Sequence, residues 1–246
     1  MQISTKSSDN SKTANNHKSS AFHNKSIIKD FLNVSAPIVY VITNGEMTDA
    51  NFSTDSQKIL EIVRAAVKSK VSLIQIREKK LSARNVFEIT KRAAEIAKNS
   101  NGKSTKILVN DRADIALAAN ADGVHLTSKS LSAKIIRQNF PQNFVIGTSC
   151  HSVEDVEKSE IEGADFATFS PIFETPSKMK YGKPQGLEKL REVCETVKNF
   201  PVIALGGIDI LNFSECLNVG AKGIAAIKLF DDSENLREIV KKIYAK

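Results

Sequence analysis

The stretch "SLIQIREKKLSARNVFEITKRAAEIAKN", residues 72–99, holds both halves of the unit from which this chain is built. Its first part, SLIQIR (72–77), is short, and residues i, i+2 and i+4 of a strand share one face. Its second part opens on Ser82, a residue suited to cap a helix N-terminus, and runs through Asn99 with a helix-forming pattern. Together they read as one βα unit. The odd feature is the placement of Gln75, Arg77 and Lys79 at alternate positions, which sets an amide and two cations on one face and Ile74 and Ile76 on the other.

The same alternation runs along the chain. Strands are predicted at IVYVIT (38–43), SLIQIR (72–77), KILVND (106–111), GVHL (123–126), FVIGTS (144–149), DFATFS (165–170), PVIALGG (201–207) and GIAAIKLF (223–230). Residues 56–69 carry apolar side chains at 59, 60, 62, 63, 66 and 67, a helical stripe. Further helices fit near 82–99, 112–119, 131–139, 152–162, 186–198, 209–218 and 233–244. Eight short strands, each followed by a helix, predict an α/β fold, a (β/α)8 TIM barrel forming a single domain over 36–246. A doubly wound open sheet is the competing arrangement; the count of eight and the shortness of the strands favour the barrel. Residues 1–35, rich in Ser, Asn and Lys, read as a disordered N-terminal arm. They lack the apolar segment of a signal peptide and the arginines of an organelle transit peptide.

Composition narrows the function. The chain of 246 residues has no Trp, so Ile, Val, Leu and Ala must build its core. Of the net charge of +7, the first 35 residues contribute +3, and no basic stripe with interleaved aromatics is present. Nucleic acid is therefore not an expected partner. No apolar run reaches the roughly 20 residues of a membrane span, so no membrane is expected either. Three scattered cysteines, Cys150, Cys194 and Cys216, suit neither a disulfide framework nor a Cys-based zinc site and point to a reducing, cytoplasmic setting. An exposed helix face on such a barrel could also make a homodimer.

In a barrel of this kind the reacting groups lie at the C-terminal ends of the strands and in the loops beyond. Arg77 and Lys79 at the second strand's exit need an anion; a planar fork beside a point charge suits phosphate or diphosphate. An ion-pair network with Glu78 or Asp111 is the structural alternative. The third strand ends in Asn110 and Asp111, a carboxylate fit for a salt bridge or for Mg2+ held against phosphate oxygens. The fifth ends with Ser149, a donor to a phosphate oxygen, and His151, which equally suits a capping or packing role. The loop after the sixth, FSPIFETPSKMKYGKPQG (169–186), gathers Thr175, Ser177 and Lys178 among glycines, an anion-binding composition. The seventh exits into Gly206 and Gly207, and the eighth at Ala226, Ile227 and Lys228, where barrels commonly cradle phosphate on backbone amides. Two anion sites in one mouth suit two small phosphorylated substrates joined with loss of diphosphate, or one doubly phosphorylated sugar.

Taken together, QIREK (75–79), ND (110–111), ADGVHL (121–126), GTSCHS (147–152), PIFETPSK (171–178), ALGGI (204–208) and GAKGIAAI (220–227) resemble the thiamine phosphate synthase family, in that family's order and over about 37–230. The resemblance implies a transferase of thiamine biosynthesis that joins 4-amino-5-hydroxymethyl-2-methylpyrimidine diphosphate to a thiazole phosphate and releases pyrophosphate. It further implies that Gln75 recognises the pyrimidine, and that Arg77, Lys79, Asn110, Ser149 and Lys178 hold the diphosphate. Asp111 would ligate Mg2+, Thr175 and Ser177 would meet the thiazole phosphate, and Gly207 would offer its backbone amide. The chain departs from the family's pattern twice. Ser130 stands where a second metal-binding Asp is usual, and Lys228 where a Ser tends to follow Ile227. Both changes lean toward the thiazole tautomerases of the same superfamily, in which His151 would be the acid or base. A barrel that binds a thiamine precursor without catalysis is the third reading.

Overall fold

The computed structural model describes residues 36–100, 105–175 and 183–246. Eight parallel strands close into a barrel in chain order: β1 Ile38–Ile42, β2 Leu73–Ile76, β3 Lys106–Asn110, β4 Gly123–Leu126, β5 Val145–Cys150, β6 Phe166–Phe169, β7 Val202–Leu205 and β8 Gly223–Ala226. β1 and β8 close the ring through the pairs Ile38↔Gly223 to Val41↔Ala226. Each strand leads to a helix: α1 Phe52–Lys68, α2 Ala83–Lys98, α3 Ala113–Ala118, α4 Ala133–Asn139, α5 Val153–Ile161, α6 Gly186–Thr196, α7 Phe213–Asn218 and α8 Leu236–Tyr244. The expected (β/α)8 TIM barrel is thus the observed fold. The expectation for 1–35 falls outside the described residues.

Strand parity sorts the side chains as a period of two demands. Ile38, Tyr40, Ile42, Leu73, Leu108, Val145, Phe166, Ile203 and Ala225 fill the inside of the barrel. The intervening residues, such as Val39, Ile74, Ile107 and Ile224, pack outward against the helices. Glycine is used where the interior is tightest. A side chain at Gly147 would collide with the Phe166 ring and approach His125 Nδ1 to 2.8 Å.

The end of the barrel away from the strand exits is pinned by carboxylates. Asp122 accepts from Ile107 N at 2.9 Å and from Lys106 Nζ at 3.0 Å. Asp165 accepts from Ile146 N at 2.7 Å and from Arg137 Nη2 at 2.8 Å, while Arg137 also donates to the carbonyls of Gly163 and Phe144. Each aspartate precedes a strand and ties down the first amides of a strand paired with it, which sets the register from below.

Strand ends and helix starts differ from the sequence reading in particular places. GIAAIKLF pairs only through Ala226; Lys228–Phe230 is a 3-10 turn, and its apolar character reflects Phe230 packing at 1% exposure. The seventh helix begins at Phe213 rather than 209, because Asp209 Oδ1 accepts from the amides of Leu211 and Asn212 and holds that segment as a turn. The first helix starts at Phe52, before its apolar stripe does. Among the described residues, no helix is long and apolar enough to cross a membrane, and the three cysteines are free thiols.

Candidate active site

Gln75 lies inside the barrel rather than on its rim, at 2% exposure. β2 ends at Ile76, so the shared face of Gln75, Arg77 and Lys79 turns through three depths: amide in the interior, guanidinium half-buried at the mouth, ammonium exposed beyond it. The polypeptide near Arg77 is held by its backbone, whose N–H donates to Thr43 Oγ1 at 2.8 Å. Among the described residues its guanidinium reaches only the Asn44 carbonyl, at 3.4 Å, across Gly45, where φ is +78° and a Cβ would stand 3.0 Å from Nη1.

Among the described residues, neither Arg77 nor Lys79 forms an ion pair. The structural alternative of a network with Glu78 or Asp111 does not form. Glu78 points the other way and is buried, one carboxylate oxygen accepting from Met47 N at 3.2 Å. Partial burial, and then the repulsion of Arg77 and Lys129, lower the Lys79 pKa against the attraction of Asp111. Cations crowded in this way are relieved by an anionic ligand.

Asp111, at a left-handed φ of +60°, sits at the exit of β3. Its Oδ1 accepts from the Thr127 hydroxyl at 2.8 Å, from Thr127 N at 3.2 Å and from the Ser130 hydroxyl, and its Oδ2 accepts from Asn110 Nδ2 at 2.7 Å. Burial alone would raise its pKa; the Ser130, Thr127 and Asn110 donors and then Lys79 outweigh it and hold the carboxyl below its usual range. Ser130, which stands at the position of an expected carboxylate, is a donor to Asp111. The oxygens at hand for a hard cation are the carboxylate itself and the hydroxyls of Thr127 and Ser130, and no cluster of three or more His, Cys, Asp or Glu exists among the described residues. A metal held here would take one carboxylate from the protein and the rest of its shell from ligand and water, a pattern that Mg2+ uses.

Two interior residues escaped the sequence reading as site members. Gln75 Nε2 donates to Tyr40 Oη at 2.8 Å, Tyr40 Oη meets His125 Nδ1 at 3.1 Å, and His125 Nε2 meets Ser149 Oγ at 3.0 Å. A polar chain therefore crosses the barrel from β2 to β5. Burial dominates the His125 pKa, pushing it down to about 4, so the ring is neutral at neutral pH. Burial likewise pushes the Tyr40 phenol well above its usual value. The available signal was parity: Tyr40 and His125 are polar residues at inward positions of otherwise apolar strands. His151 is exposed, its Nδ1 2.7 Å from the Ser170 carbonyl.

The opposite side of the mouth is built by β6, β7 and β8. Ile172 N and Phe173 N donate to the carbonyls of Leu205 and Gly206, and Gly186 N to that of Ile172. This clamps the base of the sixth loop to Leu205 and Gly206 and presses it against Gly207, whose φ is +69° and whose added Cβ would lie 2.7 Å from Phe173 Cβ. Thr175 Oγ1 is buried there with no hydrogen-bond partner among the described residues. Leu205 and Ile227 cover the inner cluster, and Lys228 is exposed. Ser177 and Lys178 lie outside the described residues. The structure thus brings Arg77, Lys79, Asn110, Asp111 and Ser149 to one half of the mouth, with Gln75 inside the barrel below them, and Thr175, Gly207 and Ile227 to the other.

Residues 39–230 match the family model described as thiamine monophosphate synthase. A protein of Aquifex aeolicus provisionally named thiamine-phosphate synthase 2 is 41% identical over 194 residues, 79% of this chain and 97% of its own. The thiamine-phosphate synthase of Methanocella arvoryzae is 36% identical over 185 residues, 75% of this chain and 85% of its own. Among solved structures, thiamine phosphate pyrophosphorylase from Pyrococcus furiosus superposes with a TM-score of 0.67 at 31% identity, covering 88% of this chain and 98% of that one. A barrel that sets two cations beside a donor-wrapped aspartate at its mouth, and that matches the family model over residues 39–230, belongs to the thiamine monophosphate synthase family.

Proposed function

We propose that this chain joins a 4-amino-pyrimidine methyl diphosphate to a thiazole phosphate, releasing pyrophosphate and forming thiamine phosphate. The observation that carries this reading is the pair of cations, Arg77 and Lys79, that have no carboxylate partner among the described residues at the barrel mouth. Such a site is poised for a leaving group of high negative charge, and the energetic demand of the reaction is stabilisation of that leaving group.

In this reading Gln75 meets the pyrimidine at the floor of the mouth. Arg77, Lys79, Asn110, Ser149 and Lys178 hold the diphosphate, Lys178 by family resemblance. The carbon–oxygen bond breaks as charge gathers on the departing oxygens, and the thiazole nitrogen captures the pyrimidine methyl carbocation. Thr175, Ser177 and the Gly207 amide hold the thiazole phosphate, and the buried hydroxyl of Thr175 supplies a donor with no other partner among the described residues. Ile227 packs beneath the rings, and Lys228 stands at the rim. Asp111 would hold Mg2+, which when bound neutralises part of the diphosphate charge. The barrel over 36–246 is the catalytic unit of this proposal. No general base is needed, so His151 has no assigned step.

The test is to mix the protein with both substrates, with and without Mg2+, and to measure pyrophosphate and thiamine phosphate. Formation of both products supports the reading. Conversion of a thiazole carboxylate phosphate without either product would replace it with the tautomerase.

A further inference from the structure

The chain Gln75–Tyr40–His125–Ser149 has only two self-consistent directions, because each hydroxyl has one proton and a neutral imidazole one N–H. A neighbouring residue selects between them. Thr168 Oγ1 donates to the Thr148 carbonyl at 3.3 Å and stands 3.5 Å from His125 Nε2. With its single proton on the shorter of these two contacts, it faces the imidazole as an acceptor. Nε2 therefore carries the hydrogen, shared between Ser149 Oγ at 3.0 Å and Thr168 Oγ1. Nδ1 is then bare and accepts the Tyr40 proton at 3.1 Å. Tyr40 Oη in turn accepts from Gln75 Nε2 at 2.8 Å. At the near end Gln75 is left with its carbonyl oxygen for a ligand. At the far end Ser149 has its proton free to donate.

We propose that this chain acts as a polarity lock, fixing Gln75 as an acceptor and Ser149 as a donor, so that the site selects a heteroaromatic ring bearing an exocyclic amine together with an anion. The identity of those ligand groups rests on the synthase reading; the direction of the chain does not. An oxo group in place of the amine would face the Gln75 oxygen. Turning the amide over would require Tyr40, His125 and Ser149 to reverse as well, and would leave Nε2 bare opposite the Thr168 oxygen. Tyr40 and Thr168 are fully buried and His125 is 2% exposed, with the Phe166 ring edge-on to Tyr40 at 5.6 Å, so a mismatched donor or acceptor there carries the full cost of its burial. Tyr40 and His125 are positioning residues that act through Gln75 and Ser149.

Two measurements test the lock. The first is the 15N–1H correlation spectrum of the histidine rings in the wild-type protein at neutral pH, with and without inorganic pyrophosphate. The His125 signal is assigned by its loss in His125→Asn or, should that variant not fold, by its lack of exchange with solvent. The Nε2–H tautomer is expected in both conditions; the Nδ1–H tautomer or an imidazolium overturns the proposal. The second is the ratio of kcat/KM for the amino-pyrimidine diphosphate over its oxo analogue. Wild type should favour the amine by more than about 100-fold, as a site built around a buried polar group does. Tyr40→Phe frees the Gln75 amide to rotate and should lower that ratio about tenfold or more. A folded Tyr40→Phe enzyme with the wild-type ratio overturns the specificity role. If wild type turns over neither pyrimidine, the synthase reading fails, and the tautomer measurement still decides the direction of the chain.

Discussion

Replacing Arg77 with Ala removes a cation that the protein leaves without an acidic partner among the described residues. Two unit charges about 4 Å apart attract by about 1 kcal/mol in bulk water and about 4 kcal/mol at the effective dielectric of a protein surface. Arg77 is half-buried, between these limits, and loss of one preorganised donor to a developing oxyanion costs about 2.7–4 kcal/mol in enclosed sites. Discounted for the open mouth, Arg77→Ala should raise the barrier by about 2–3 kcal/mol, roughly a 30- to 150-fold loss of kcat. Because among the described residues its side chain reaches only one carbonyl, at 3.4 Å, while the Thr43 contact uses its backbone, the fold should tolerate the change. The assay is steady-state release of pyrophosphate with both substrates saturating, alongside thermal unfolding. A folded variant whose kcat lies within threefold of wild type would refute the assignment of the diphosphate to this side of the mouth.

Stability should fall with acid through His125. The unfolded chain takes up a proton below about 6.5, whereas the folded interior resists until about 4, so the unfolded state binds more protons between those values. Denaturant unfolding should show stability fully present above about pH 6.5 and up to about 3 kcal/mol lost by pH 4, with a shallower slope in His125→Asn. Gly207→Ala should cost about 1–3 kcal/mol and raise the KM for the thiazole phosphate, since a methyl group there meets Glu174 O at 2.8 Å in a left-handed backbone; an unchanged melting temperature would contradict the clamp. Ser130→Asp should lower the Mg2+ concentration for half-maximal activity about tenfold by adding a carboxylate beside Asp111. A metal titration with unaltered midpoint would count against metal binding at this position.

The barrel could be read from the chain because two periodicities alternate eight times, and each is a direct imprint of which face is dry. The limits of the strands could not. Apolar continuity through Lys228–Phe230 records packing, not pairing, and the turn at Asp209 depends on a side chain capping nearby amides. Arg77, Asn110, Asp111 and Ser149 could be placed together from the chain because strand exits are where a barrel exposes its polar side chains, and Gln75 because it shares a strand face with Arg77. Tyr40 and His125 were not singled out, since an isolated polar residue inside an apolar run says nothing about its partners until the opposite strands are known. Likewise, Thr127 and Ser130 read as a departure from a pattern; only their positions over Asp111 reveal them as its donors.

Asp122 and Asp165 hold the floor of the barrel, with Lys106 and Arg137 as their counterweights. The chemistry proposed for this chain lies at the opposite rim. A melting screen of random variants would thus be sensitive to substitutions below and nearly blind to those above, and a turnover screen would show the reverse pattern. New substrates should accordingly be sought by randomising the rim on an untouched base.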